Sequence, residues 1–265
     1  MKLNNLIILA LLAITAGSCH QATKKTADAV VEAASSTSEE EDNAVLPEED
    51  SIPQEIAEKF AKFLPEGYRL FDIISGDLNK DGKEDTVLIV KATDRENFVV
   101  DEYQEYRGVL DRNRRGLIIL LSNNERFTNL DCFSSENENG GVYYAPELWI
   151  YINKGNLYID YGHGRYGYWC YVFRYKNYGN YFDFELIGYD ASDNRGPVVE
   201  SATSINFLTK RRQTRVNTNA DAEGGDEIFK ETWENIDYNA NDLILSKITD
   251  FDRFNIRDCY RILDK

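Results

Sequence analysis

The sequence predicts a mainly β fold: antiparallel meander sheets, arranged as a sandwich or a partial blade- or barrel-like structure, with a short N-terminal helix in front. Three features carry this. From residue 68 onward the chain is a succession of short runs rich in β-branched and aromatic residues, the composition that suits a pleated, half-buried surface. Several gaps between them read "NKG", "HGRYG" and "KNYGN", with the length and the Gly/Asn content that hairpin turns require. A single stretch of the folded part, near its start, spaces apolar residues at a helical period.

That stretch is "SIPQEIAEKFAKFLPEG". Ser51 can cap, Pro53 suits a first turn, and Ile56, Phe60 and Phe63 fall on one side of a helix that Pro65 and Gly67 end. "YRLFDII" and "TVLIVKA" then flank an aspartate-rich loop as a hairpin. "DRENFVVDEYQEYRGVLDRNRR" is charged throughout and reads as a long excursion before "GLIILLS" (116–122) and "ERFTNLDCF" resume as strands. After the polar loop "SSENENGG" come four strand-like runs, "ELWIYI", "NLYIDYG", "YWCYVFRY" and "YFDFELIGYD", whose spacing argues a meander over 142–218. "ATSINFLTKRRQTRVN" reads as one or two further strands and "ADAEGGDE" as a turn. The end holds "KETWENI", "DLILSKITDFD" and a polar tail.

Ahead of this region, Lys2, the apolar run 6–14 and "AGSC" have the form of a secretory signal ending in a lipobox. The organisation expected is a signal over 1–18, a lipidated Cys19 with a tether over 19–50, and one β-rich domain over 51–265. The lipobox resembles that of bacterial lipoproteins, with Ala16 where Leu is usual. That resemblance implies diacylglycerol on Cys19, hence a membrane partner and an envelope location, read as the periplasmic face of an outer membrane; surface exposure stays open. The alternative is an ordinary signal cut near Ala16 with Cys19 left as a thiol. From His20 to Asp50 nine acidic residues stand against Lys24 and Lys25, with no spacing that would bury a face, so this stretch reads as a disordered tether.

The chain carries a net charge of −16. Nucleic acid is therefore a poor partner, because phosphate binding needs a basic face. Beyond Cys19 the cysteines are Cys132, Cys170 and Cys259. Cys132 with Cys170 is the pair to test for a disulfide; three buried, reduced thiols are the other reading. No Cys-x-x-Cys occurs, so zinc and thioredoxin-type chemistry are not suggested.

The loop "GDLNKDGKED" offers oxygens at alternate positions, as a hard divalent cation requires: Asp77, Asn79 and Asp81, with Gly82 for the turn, the Lys83 carbonyl, and Asp85 at the ninth position. Leu88 at the twelfth position and strand-like flanks argue against an EF-hand. The alternative is an unliganded turn capped by side-chain to backbone bonds. The "D-x-N-x-D-G-x-x-D" pattern, with "RGLIILLSNNERFTNL" behind it, resembles FG-GAP and related propeller-blade repeats over 68–130. The resemblance implies a structural calcium ion held by Asp77, Asn79, Asp81, Lys83 and Asp85. The blade is present once, so a whole propeller is not expected. The segment from "ELWIYI" to "FELIGYD" is similar to a group of uncharacterised lipoproteins from diderm bacteria, which brings no activity with it.

Aromatic residues concentrate in the meander. Strand alternation puts Tyr166, Tyr168, Cys170 and Val172 on one face and Trp169, Tyr171, Phe173 and Tyr175 on the other. Together with Trp149 and Tyr151, the residues Tyr166, Tyr168, Trp169 and Tyr171 form a candidate surface for a sugar ring, a peptide or a protein; packing as a thick core is the other reading. His163 is the one histidine after the tether, so a Ser-His-Asp or Cys-His site would need it. No nucleophile elbow, zinc-protease helix, P-loop or dinucleotide fingerprint is present. The basic cluster Lys210, Arg211, Arg212 and Arg215 reads as a guarded edge strand or as a contact for an acidic partner. Taken together, these features predict a non-catalytic envelope binding module; an immunity-type inhibitor of a secreted or periplasmic enzyme is the alternative, ahead of an envelope hydrolase.

Overall fold

The computed structural model describes residues 52–100, 109–135 and 146–263. The signal, Cys19, the acidic tether, the Ser51 cap and most of the "SSENENGG" loop lie outside the described residues. The chain is mainly β, with one short N-terminal helix, antiparallel sheets of four and eight strands and a two-stranded ribbon.

Helix α1 (Gln54–Phe60) follows Pro53 and tightens into a 3₁₀ turn before Pro65. It buries none of its own residues fully. Phe60 and Phe63, with Leu64, pack on Leu70, Leu88, Val90 and Ile118. That is one face of the four-stranded sheet, ordered β1 (Tyr68–Gly76), β2 (Asp85–Ala92), β5 (Arg115–Leu120), β6 (Arg126–Phe133). The intervening charged excursion is not structureless: β3 (Phe98–Val100) and β4 (Val109–Asp111) pair as a short ribbon. Strand alternation sends Val87, Ile89, Leu117 and Ile119 to the opposite face, into the main core.

The large sheet runs in the order β14-β13-β12-β11-β10-β9-β8-β7. Its strands are β7 (Glu147–Asn153), β8 (Asn156–Gly162), β9 (Gly167–Asn177), β10 (Phe182–Arg195), β11 (Val198–Asn206), β12 (Arg211–Asn217), β13 (Phe229–Tyr238) and β14 (Tyr260–Ile262). The expected meander over 142–218 takes the form of the six consecutive strands β7–β12; β13 extends it, and β14 returns from the C-terminal end to cover β13. Gly167 enables the entry into β9: its φ is +115°, and a Cβ there would meet the Ser192 carbonyl oxygen. A bulge at the Leu186/Gly188 step lets β10 change register against β9.

The main core is shared by both sheets. Leu157, Ile159, Phe173, Phe184 and Leu186 from the large sheet meet Phe127, Cys132 and Phe133 from the small one. "DLILSKITDFD" is not a strand. It forms 3₁₀ turns whose Leu243, Leu245, Ile248 and Phe251 fill the same core. Asn129 explains how so irregular a segment is held: its side-chain amide donates to the Leu245 and Ile248 carbonyls, both at 3.0 Å.

Cys132, Cys170 and Cys259 are all free thiols, which corrects the suggested Cys132–Cys170 disulfide. Cys132 lies in the core between the sheets. Cys170 is in register with Asp160 and Asp190 on the other face of β9, so a sheet separates the two sulfurs.

Candidate functional site

The alternation of β9 divides the expected aromatic surface in two. Trp149, Tyr151, Tyr166 and Tyr168 are exposed, whereas Tyr171 is buried and Trp169 packs against the core. The six residues are therefore not one surface. The division follows from parity: Tyr168 and Trp169 are neighbours in sequence and so point to opposite faces.

On the inner face, the C-terminal segment crosses the large sheet and leaves a cavity of about 430 Å³. Its aromatic lining is Tyr161, Trp169, Tyr171 and Tyr189 from β8–β10, with Phe251 and Phe254 opposite. The rings brace one another: Tyr161 stacks on Trp169 at 5.2 Å, and Tyr171 meets Tyr189 at 5.2 Å, Phe251 at 5.3 Å and Phe254 at 5.6 Å. Asp252, Asn255 and Arg257 add polar groups to the same lining.

Two anchors set the outer wall. Arg114 binds Asp250 at 2.9 Å and Asp252 at 3.0 Å, and the Phe251 N–H donates to the Cys132 carbonyl at 2.9 Å. Within the cavity lining, the Tyr161 hydroxyl is buried with no hydrogen-bond partner among the described residues. Burial, with the Asp252 carboxylate nearby, pushes its pKa far above that of an ordinary phenol. Burial likewise raises Tyr189 to about 12, against the opposing pull of Arg257. Both phenols are neutral at ordinary pH and able to donate.

A second cavity of about 80 Å³ shares Tyr189, Ile256 and Arg257 with the first and adds Asp193, Thr203 and Arg212.

On the outer face, Trp149, Tyr151 and Tyr168 stand with Tyr158 across β7–β9. Tyr151 and Tyr158 stack at 4.8 Å, and the Trp149 ring lies over Gly162, where a Cβ would meet it at 2.4 Å. Below them Asp160, Cys170 and Asp190 share one row across three strands. Burial raises the Asp160 pKa and lifts the Cys170 thiol to about 12.

The aspartate loop is closed by its own hydrogen bonds. Asp77 accepts from the Asp81 and Gly82 amides, Asn79 from Asp81, and Asp81 from Lys83. Asp85 is buried and accepts from the amides of Leu78, Asn79 and Ser122 at 2.8, 3.2 and 2.8 Å. Among the described residues no three His, Cys, Asp or Glu side chains are gathered to hold a metal ion.

His163 is buried against Tyr166 and Trp169. The basic cluster is not on an edge strand: β12 lies between β11 and β13. Lys210 pairs with Asp237, Arg212 with Glu234 and Arg215 with Glu231, while Arg211 lies over Trp233.

Sequence reasoning found Trp169 and Tyr171 but missed Tyr189, Phe251, Phe254 and Arg257. Tyr189 was hidden by the bulge at the Leu186/Gly188 step: strict alternation from the inward Phe184 and Leu186 would send it outward, and the extra residue turns it inward opposite Tyr171. The other three lie in an irregular segment with no period to read. Comparison of the chain with protein-family models, with curated proteins and with solved structures finds no match.

Proposed function

We propose that the protein is a lipid-anchored binding module of the cell envelope that holds a glycan, with a sugar ring seated against the aromatic wall of the larger inner-face cavity and no catalytic step of its own. The observation that carries this reading is the combination of aromatic rings with Tyr161, Asp252, Asn255 and Arg257 around about 430 Å³. That volume falls in the ordinary range for small-molecule sites, and a mostly apolar wall with a few convergent polar groups is their usual make-up. A pyranose presents C–H bonds on its faces and hydroxyls on its rim. Rings suit the first and the polar groups suit the second. The anchor proposed at Cys19 and the acidic tether would hold the domain clear of the membrane.

The test is binding of the full-length chain, in detergent, to a panel of soluble oligosaccharides. Phe254→Ala should weaken binding and Trp149→Ala should leave it unchanged. A second reading, a peptide or protein docked on the outer face, is favoured by the exposure of Trp149, Tyr151 and Tyr168. Loss of binding in Trp149→Ala alone would move the site there.

Calcium at the aspartate loop is part of the same proposal. Asp77, Asn79, Asp81 and the Lys83 carbonyl are the groups that would hold it, while Asp85 is already committed to three amides. A bound ion would relieve the repulsion among these carboxylates and stiffen the hairpin.

A further inference from the structure

Arg257 stands where the two inner-face cavities meet. Its guanidinium has neither an ion pair nor a hydrogen bond among the described residues. Other arginines behave differently: Arg114, Arg174, Arg195, Arg212 and Arg261 each meet a carboxylate. The smaller cavity holds another donor left over. Arg212 gives one terminal nitrogen to Glu234 at 3.0 Å, but its Nε is buried without an acceptor among the described residues. A buried N–H in that state loses the hydrogen bond it had in water, and an incoming oxygen would restore it. Asp193, the carboxylate of this cavity, already accepts from the Ser201 hydroxyl at 2.8 Å.

The two chambers thus differ in chemistry. The larger is walled by rings and contains polar groups suited to hydroxyls, including the unpartnered Tyr161 hydroxyl. The smaller has room for a few atoms and two guanidinium groups facing one carboxylate. A ligand that fits both has a ring and, directly attached to it, a compact anion. We infer that the site takes an acidic sugar, a pyranose bearing a carboxylate or a sulfate, with the anion held by Arg257 and the Nε of Arg212. This rests on the glycan reading above and narrows it. The planar fork of a guanidinium suits such oxyanions and discriminates them from a neutral hydroxymethyl group.

The test is calorimetric titration of the full-length chain with tetragalacturonate, a sulfated galactose tetrasaccharide and uncharged galactotetraose. An acidic form is expected to bind at least about tenfold tighter than the neutral one. Arg257→Gln should abolish that difference, whereas Arg261→Gln, which alters an arginine outside both cavities, should keep it. On the unmodified protein, raising salt from about 50 to about 500 mM should weaken the acidic ligand and spare the neutral one. Tighter binding by either anion supports the inference, and their order says which oxyanion is preferred. Equal binding of neutral and acidic forms, or an unaltered preference in Arg257→Gln, overturns the acidic-sugar inference and leaves the glycan reading intact. Binding of none of the three overturns both.

Discussion

Lys91 and Asp111 form a 2.9 Å ion pair in which the lysine side chain is fully buried and the carboxylate nearly so. The pair ties the β3–β4 ribbon to the four-stranded sheet, and Asn113 completes it by donating its backbone and side-chain N–H groups to the same carboxylate. Asp111→Ala would leave a buried ammonium with its principal counter-charge gone. Urea unfolding should show a loss of about 3–5 kcal/mol, and the double variant Lys91→Met with Asp111→Leu should recover most of it. Equal losses in the single and double variants would mean that shape, and not charge, holds the ribbon.

Acid should loosen the protein through two carboxylates. Burial alone would raise both pKa values, but Lys91 and Asn113 at Asp111, and Lys176 and Arg174 at Glu185, outweigh it and hold both below the ordinary range. A carboxyl whose folded pKa is depressed contributes stability that is complete above its unfolded value, about 4. That contribution disappears as pH falls through the folded value. Thermal midpoints measured from pH 7 downward should stay level to about pH 5 and then fall steeply. In Glu185→Gln the fall should be shallower.

The aspartate loop separates two contributions. Asp85 serves three amides whether or not an ion is present, so Asp85→Ala should destabilise the protein by about 3 kcal/mol in chelator. Asp81 is solvent-exposed and accepts from the Ser122 hydroxyl at 2.6 Å, the Asn79 side-chain amide and the Lys83 N–H. Calcium at about a hundred times its dissociation constant should stabilise the wild type by roughly 2.7 kcal/mol, and Asp81→Ala should reduce that gain. An unchanged thermal midpoint with and without chelator would remove calcium from the description and leave the loop as a turn closed by hydrogen bonds.

The thiols should be slow. Burial pushes Cys132 far above the normal thiol range and Cys170 to about 12, and raises Cys259 as well. Little thiolate exists at neutral pH. Alkylation of the native protein without reductant should leave Cys132 and Cys170 unmodified, and alkylation after denaturation should label all three. Protection of a pair after denaturation would reveal a disulfide.

Period-two alternation and Gly/Asn turns made the meander legible, because each strand of β7–β10 carries its own pattern and needs no distant partner to be recognised. The same alternation, applied strictly, separates Tyr168 from Trp169 and divides the candidate surface as the structure does. The C-terminal wall was not legible. Phe251 and Phe254 sit among Asp250, Asp252, Arg253 and Asn255, in a segment ordered by Asn129 and Arg114. Those bonds span more than a hundred residues, and a local window cannot register them. The ribbon β3–β4 was hidden for a related reason: its ion pair joins residues that look like solvated charge until Lys91 is seen to be buried.

The crossing of the C-terminal segment also fixes an order in time. Both sheets, apart from β14, are encoded before residue 239, yet one whole wall of the larger cavity is supplied by residues 251–257. A nascent chain will have these strands before the larger cavity has its second wall. The cavity is thus walled late, by a segment that also carries Phe251 and Ile256 into the core shared by both sheets.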